Sequence, residues 1–207
     1  MPVNNILDLT SLNLRLQKRG QAAEDAAVLA INKAATFSVK ESIEEIASIV
    51  QLKKSYINRH ISIPFRARKG SLRAIIQTNE RATLLSRFPF QKSSKGVRAS
   101  VNVGAGMRLL PKSFVLPNLK GSGATGIGFR NVDALAFYES KGFGSSSLGG
   151  RKLSKLRNKA ANKPRGIEIE HRRSINQLFD SVRVNIQPRL QSLLRREFIN
   201  DYERLSI

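Results

Sequence analysis

His60 and His171 are the only imidazoles in this 207-residue chain, and there is no cysteine. Disulfides, thiolate metal sites and a cysteine nucleophile are therefore excluded. The segment Glu168-Ile169-Glu170-His171 offers ligand types in a row, but its alternation of acid and isoleucine reads as a strand with one wet face. A nuclease would need carboxylates clustered around Mg²⁺ beside the phosphates. Between Ile46 and Val132 the only acid is Glu80. Gly121-Ser122-Gly123-Ala124-Thr125-Gly126 has the GxGxxG spacing of a phosphate loop, yet no strong strand precedes it and no helix clearly follows, so it reads as a turn. The expectation is a non-enzymatic protein without metal or cofactor.

The chemistry that remains is positive charge. Lysine and arginine number 36 against 15 acidic residues, a formal net charge of +21, far beyond what solubility requires. A polyanion, or an acidic partner surface, is the expected counterpart. The charge concentrates in the middle of the chain and in a later segment. Candidate DNA-proximal or partner-contacting residues are Arg66, Arg68, Lys69, Arg73, Arg87, Lys92, Lys95 and Arg98, followed by Arg151, Lys152, Lys155, Arg157 and Lys159. No zinc-finger spacing, basic zipper or aromatic-interleaved basic stretch accompanies them, so contact should be non-specific, to phosphates, and steeply salt-dependent.

These side chains need elements to hold them. Residues 12–50 read as one long helix, or two with a break at Gly20, its apolar face marked by Ala23, Ala27, Ala30 and Ala34 and then Val39, Ile43, Ile46 and Val50. The alanines permit close approach of another helix. With the off-stripe acids Glu41, Glu44 and Glu45, they form a candidate subunit interface at which a neighbour's basic surface could sit. A short helix over 53–60 ends before Ile63-Pro64.

Strands are expected at 72–78, 97–103, 108–110, 113–116 and 126–130, in an antiparallel meander. Pro111 and Pro117 push the 114–116 piece to an edge. From Lys141 to Arg173 the chain is Gly/Ser-rich and then basic, which predicts a long mobile arm. A closing helix over 174–205 has Ser174 as its N-cap, with a kink or a division at Pro188. The N-terminus lacks the basic start and apolar run of a cleaved signal, and no stretch reaches the ~18 apolar residues of a membrane span.

The predicted architecture is α+β: long N-terminal and C-terminal helices packed on an antiparallel β-sheet, with a long basic loop or arm. It forms a single domain made of N-terminal helices (1–60), a β-rich middle (61–138), the arm (139–173) and the C-terminal helix (174–207).

This order of elements resembles the minor tail protein Z family of tailed bacteriophages. The likeness runs through Ala27-Val28-Leu29-Ala30-Ile31-Asn32-Lys33-Ala34-Ala35, Leu85-Ser86-Arg87-Phe88, Lys95-Gly96-Val97-Arg98-Ala99-Ser100-Val101, Leu110-Pro111-Lys112-Ser113-Phe114-Val115 and Gly126-Ile127-Gly128-Phe129-Arg130 to the helix from Ser174. It spans 22–193, and the loop over 139–164 has no counterpart. The resemblance implies a tail-completion or neck protein at the head-tail joint, a homo-oligomeric ring of sixfold or twelvefold symmetry around the DNA path. Its neighbours would be other neck, connector and tail proteins; it would be assembled in the host cytoplasm and end in the virion, with no membrane partner. The alternative is a stand-alone non-specific nucleic-acid-binding protein, for DNA packaging or associated with ribosomes.

Overall fold

The computed structural model describes residues 9–141 and 147–206 and shows an α+β chain with antiparallel sheets and long helices near both ends. It divides into two compact units. Unit 1 takes the described residues up to Glu45, then Asn58–Asn79 and the chain from Phe179. Unit 2 takes Ile46–Ile57 and Glu80–Leu178.

Helix α1 (Leu9–Ile49) runs 41 residues without a break at Gly20. Good helix formers on both sides carry the single exposed glycine. Its buried positions include Ala22, Ala26, Ala30, Ala34, Ser38, Ser42 and Ile46, each four residues from the last. Four residues overshoot one helical turn by about 40°. The buried line therefore winds around the helix instead of following the straight stripe through Ala23, Ala27, Val39 and Ile43, which are half-buried. Small side chains along this line let neighbouring backbone come close, and the buried Ser42 hydroxyl is satisfied by donating to the Ser38 carbonyl of its own helix at 2.6 Å.

Helix α5 (Ile175–Leu205) continues through Pro188 as one element. Its N-terminus is a reciprocal cap: the Gln177 backbone N–H donates to Ser174 Oγ at 3.1 Å, and the Gln177 side chain accepts from the Ser174 N–H at 3.1 Å. Val182 and Ile186 are buried in unit 1. There α5 runs antiparallel to α1: Lys33 meets Glu197 and Asp201, while Glu41 and Glu45, further along α1, meet the earlier Arg189. The remainder of unit 1 is an antiparallel ribbon of β1 (Ile61–Phe65) and β2 (Ile75–Thr78). The Asn32 side chain grips its connection by giving and taking one 2.9 Å bond with the Ala67 backbone.

In unit 2, β4 (Phe90–Ser93), β5 (Gly96–Ala99) and β6 (Arg108–Pro111) form one three-stranded antiparallel sheet. A second joins β7 (Phe114–Leu116), β8 (Gly126–Arg130) and β9 (Ile167–Ile169), with β7 at an edge as the flanking prolines require. Short strands β3 (Thr83–Leu84) and β10 (His171–Arg172) pair separately, so the single meander is replaced by several small sheets. Along β5, Val97 and Ala99 are buried and Arg98 is exposed, the period-two pattern of a half-buried strand. The GxGxxG segment is a turn leading into β8, with Gly121 and Gly123 at positive φ.

The stretch expected to be a mobile arm is the largest correction. Residues Ser147–Asn162 form helix α4 against α3 (Asn131–Ser140), and β9 and β10 follow. Leu153, Leu156 and Ala160, spaced three and four apart among the lysines, are 6%, 2% and 8% exposed. The basic composition hid an amphipathic helix whose narrow apolar stripe is buried. Residues 142–146, the glycine/serine part of that expected arm, lie outside the described residues. Leu156→Ala is expected to cost about 2–5 kcal/mol, read as a lower urea midpoint. An unchanged midpoint would return this segment to a solvated arm.

Candidate nucleic-acid and partner surfaces

The predicted basic residues fall into separate groups. On the β1–β2 connection of unit 1, Arg66, Arg68, Lys69 and Arg73 are exposed. Two of them are engaged within the chain: Lys69 Nζ lies 2.8 Å from Asp25, and Arg66 donates to the Thr36 hydroxyl at 3.2 Å. The hydrogen bond to Asp25 also raises the Lys69 ammonium pKa above its ordinary value. In unit 2, the Arg87 guanidinium sits 5.6 Å from the centre of the Tyr56 ring.

Helix α4 presents Lys152, Lys155, Arg157 and Lys159 on its exposed side. Arg157 pairs with Glu139 at 3.0 Å and Lys159 with Glu168 at 2.6 Å. The Arg151 side chain lies outside the described residues.

The β4–β5 hairpin is different. Ser93 pairs with Gly96 across the two residues Ser94 and Lys95, and Lys92, Lys95 and Arg98 all stand exposed on or beside this turn. None of the three forms an ion pair among the described residues. The hairpin thus groups three cations of the predicted set that no carboxylate compensates among the described residues.

The predicted subunit interface is largely used inside unit 1. Ala30 and Ala34 are buried and Ala23 and Ala27 half-buried. Arg189 lies 2.6 Å from Glu41 and 2.7 Å from Glu45, bridging two acids one helical turn apart. Glu44 remains exposed on the same helix. Glu41 and Glu45 of the acidic patch thus meet the chain's own C-terminal helix.

This is a general pattern. Asp25, Glu41, Glu45, Asp133, Glu139, Glu168, Glu170, Asp180, Glu197 and Asp201 all pair with cations of the same chain. Most of the 15 acids are therefore already committed.

The Lys33 bridge to Glu197 and Asp201 sets a pH dependence. The hydrogen bond from Lys33 holds the Glu197 carboxyl below its usual value of 4.5, while the bonds to Asp201 and Glu197 raise the Lys33 ammonium above 10.5. The Glu197 contribution is complete above the ordinary carboxylate value and is lost as pH falls through its depressed value. The Lys33 contribution is complete below 10.5 and is lost as pH rises through its raised value. Glu197→Gln is expected to flatten the acid limb of stability against pH in urea titrations; an unchanged limb would remove Glu197 from the linkage.

Sequence reasoning missed the polar core of unit 2. Glu170, expected on a wet strand face, is fully buried and accepts a hydrogen bond from Tyr138. Lys152 Nζ donates to the same phenol at 2.7 Å, and Arg172 lies 3.7 Å from the other Glu170 oxygen. Burial first, and the Glu170 charge second, push the Tyr138 pKa far up, so the phenol stays protonated as the donor. Tyr138 lies 14 residues from Lys152 and 32 from Glu170, and no local spacing marks these contacts.

Among the described residues no group of three His, Asp or Glu is placed to hold a metal ion, and no helix is long and apolar enough to cross a membrane. Comparison with protein-family models, curated proteins and solved structures finds no match to this chain.

Proposed function

We propose that this chain is a structural virion protein of a tailed bacteriophage, a subunit of the neck or tail-completion complex at the head-tail joint. It forms a ring, sixfold or twelvefold, around the DNA path, contacts neighbouring tail and connector proteins, and works without catalysis or cofactor. It assembles in the host cytoplasm and ends in the particle.

The observation that carries this reading is the distribution of charge. The net charge is +21, most acids are neutralised within the chain, and the β4–β5 hairpin keeps Lys92, Lys95 and Arg98 exposed and uncompensated. A second copy has few acids left with which to neutralise that surface, so its counter-charge must come from another molecule. DNA in transit supplies the highest density of negative charge for non-specific contact. The assignment to the neck, rather than to any DNA-binding role, is supported by the resemblance in element order and in the segments around Ala27, Lys95, Leu110 and Gly126.

Particle fractionation and gene loss test it together. The chain should co-purify with intact particles in multiple copies, and its loss should leave filled heads and tails unjoined. Absence from particles, or normal joining without it, would overturn the reading. Co-purification with ribosomes or free DNA would identify a stand-alone nucleic-acid-binding protein.

A further inference from the structure

A cavity of about 700 Å³ opens within unit 2, between the β4–β5–β6 sheet, α3 and the last residues of α1. Its floor is apolar, with Val50, Phe88, Ala99 and Leu110 each no more than 4% exposed. Its charged lining is one-signed: Arg108, Lys141, Arg172 and Arg173 contribute, and no acid does. Arg172 has Glu170 at 3.7 Å, whereas Arg108, Lys141 and Arg173 enter no ion pair among the described residues. A volume in this range accommodates a compact ligand or several side chains.

We propose that this cavity docks an extended peptide segment of a different protein, anchored by apolar side chains and flanked by carboxylates. The two halves of the lining ask for different things, and such a segment supplies both. Apolar groups gain by leaving water against the floor, and carboxylates are drawn to cations beside a low-dielectric wall. A DNA backbone brings charge but no aliphatic group to fill the floor.

Strand β6, which carries Arg108 and Leu110, is an edge of its sheet, so an extended chain can lie along it. A second copy of this chain is a poor occupant, because its acids are mostly paired already. The inference does not depend on the DNA-path reading, because it concerns different residues and a different ligand.

The test uses the full chain and fluorescence anisotropy with a short labelled peptide alternating leucine and aspartate. Its control alternates serine and aspartate. The leucine peptide should bind saturably and at least about tenfold more tightly than the control, a difference of ~1.4 kcal/mol.

Ala105 lies in an exposed loop at the cavity wall. Ala105→Trp should fill the mouth and reduce leucine-peptide affinity by about tenfold or more, with duplex-DNA affinity unchanged. The exposed-residue triple variant R108S/K141S/R173S should weaken both peptides while preserving the wild-type unfolding midpoint. Equal binding of the two peptides, or full affinity in the Ala105→Trp chain, would overturn the proposal and leave a charged surface only. Loss of DNA binding by hairpin variants, with peptide binding intact, would bear on the DNA reading alone.

Discussion

Replacing Lys92, Lys95 and Arg98 together with serine is expected to weaken duplex-DNA binding about a hundredfold at ~0.1 M salt and to lower the log–log salt slope by about 2–3. Each cation that neutralises a phosphate releases a condensed counterion, worth ~0.9 in that slope on B-DNA. All three side chains are exposed around one tight turn, and none has a carboxylate partner among the described residues. Their loss should therefore leave the fold intact while removing three uncompensated cations from one hairpin.

The matched control removes three cations that are already paired: Lys69 with Asp25, Arg157 with Glu139 and Lys159 with Glu168. The same formal charge is lost, yet those groups are neutralised before DNA arrives, and the expected loss is under about tenfold. Equal losses in the two triple variants, by filter binding across a salt series, would mean that binding follows net charge and that the hairpin is not the contact.

The contrast between these triplets also marks what could be read from residue order alone. Alternation in Val97-Arg98-Ala99, the bracketing of 114–116 by prolines and the Ser174 cap are local signals, and β5, β7 and the start of α5 follow them. Pairing is not local. Arg189 lies 144 residues from Glu45, so whether an exposed acid was free to meet a neighbour could not be judged until the antiparallel course of α1 and α5 was known.

The same limit misplaced Glu170. Its alternation with Ile169 correctly suggested an extended strand, but Tyr138 and Lys152, on two different helices, decide which side of that strand is wet. In α4 the error ran the other way. Lysine-rich composition spoke for disorder, while Leu153, Leu156 and Ala160 carried enough helical spacing to be buried. The cavity beneath β4–β5–β6 had no local signature, since its walls come from widely separated segments.

Gly96→Ala is expected to destabilise unit 2 by about 4 kcal/mol or more, the largest single-residue effect on the hairpin. Gly96 has φ +140, a conformation that L side chains rarely adopt, and holding a non-glycine residue there costs of order 1–3 kcal/mol. Space is the second problem. A Cβ at this position would stand 2.2 Å from the Leu110 carbonyl oxygen and 3.0 Å from the Lys112 nitrogen, both backbone atoms of β6 and its following turn.

That turn has little room to yield. The Lys112 N–H donates to the Lys95 carbonyl at 2.9 Å, and Ser113 Oγ accepts from the Val97 N–H at 3.0 Å while donating to the Leu110 carbonyl at 2.7 Å. Moving β6 away breaks these bonds, each worth about 1 kcal/mol net, and uncovers Val97 and Leu110, which are 1% and 4% exposed.

Gly20→Ala, the same chemical change, should act in the opposite direction. Gly20 lies exposed within α1, and a Cβ there meets nothing within 4 Å, so a gain of about 0.5–1 kcal/mol is expected from helix propensity. Urea unfolding of both variants, with hydrogen exchange at the β5 and β6 amides, separates the two signs. A Gly96→Ala chain within about 1 kcal/mol of wild type would mean that the β5–β6 register is not held by this close approach.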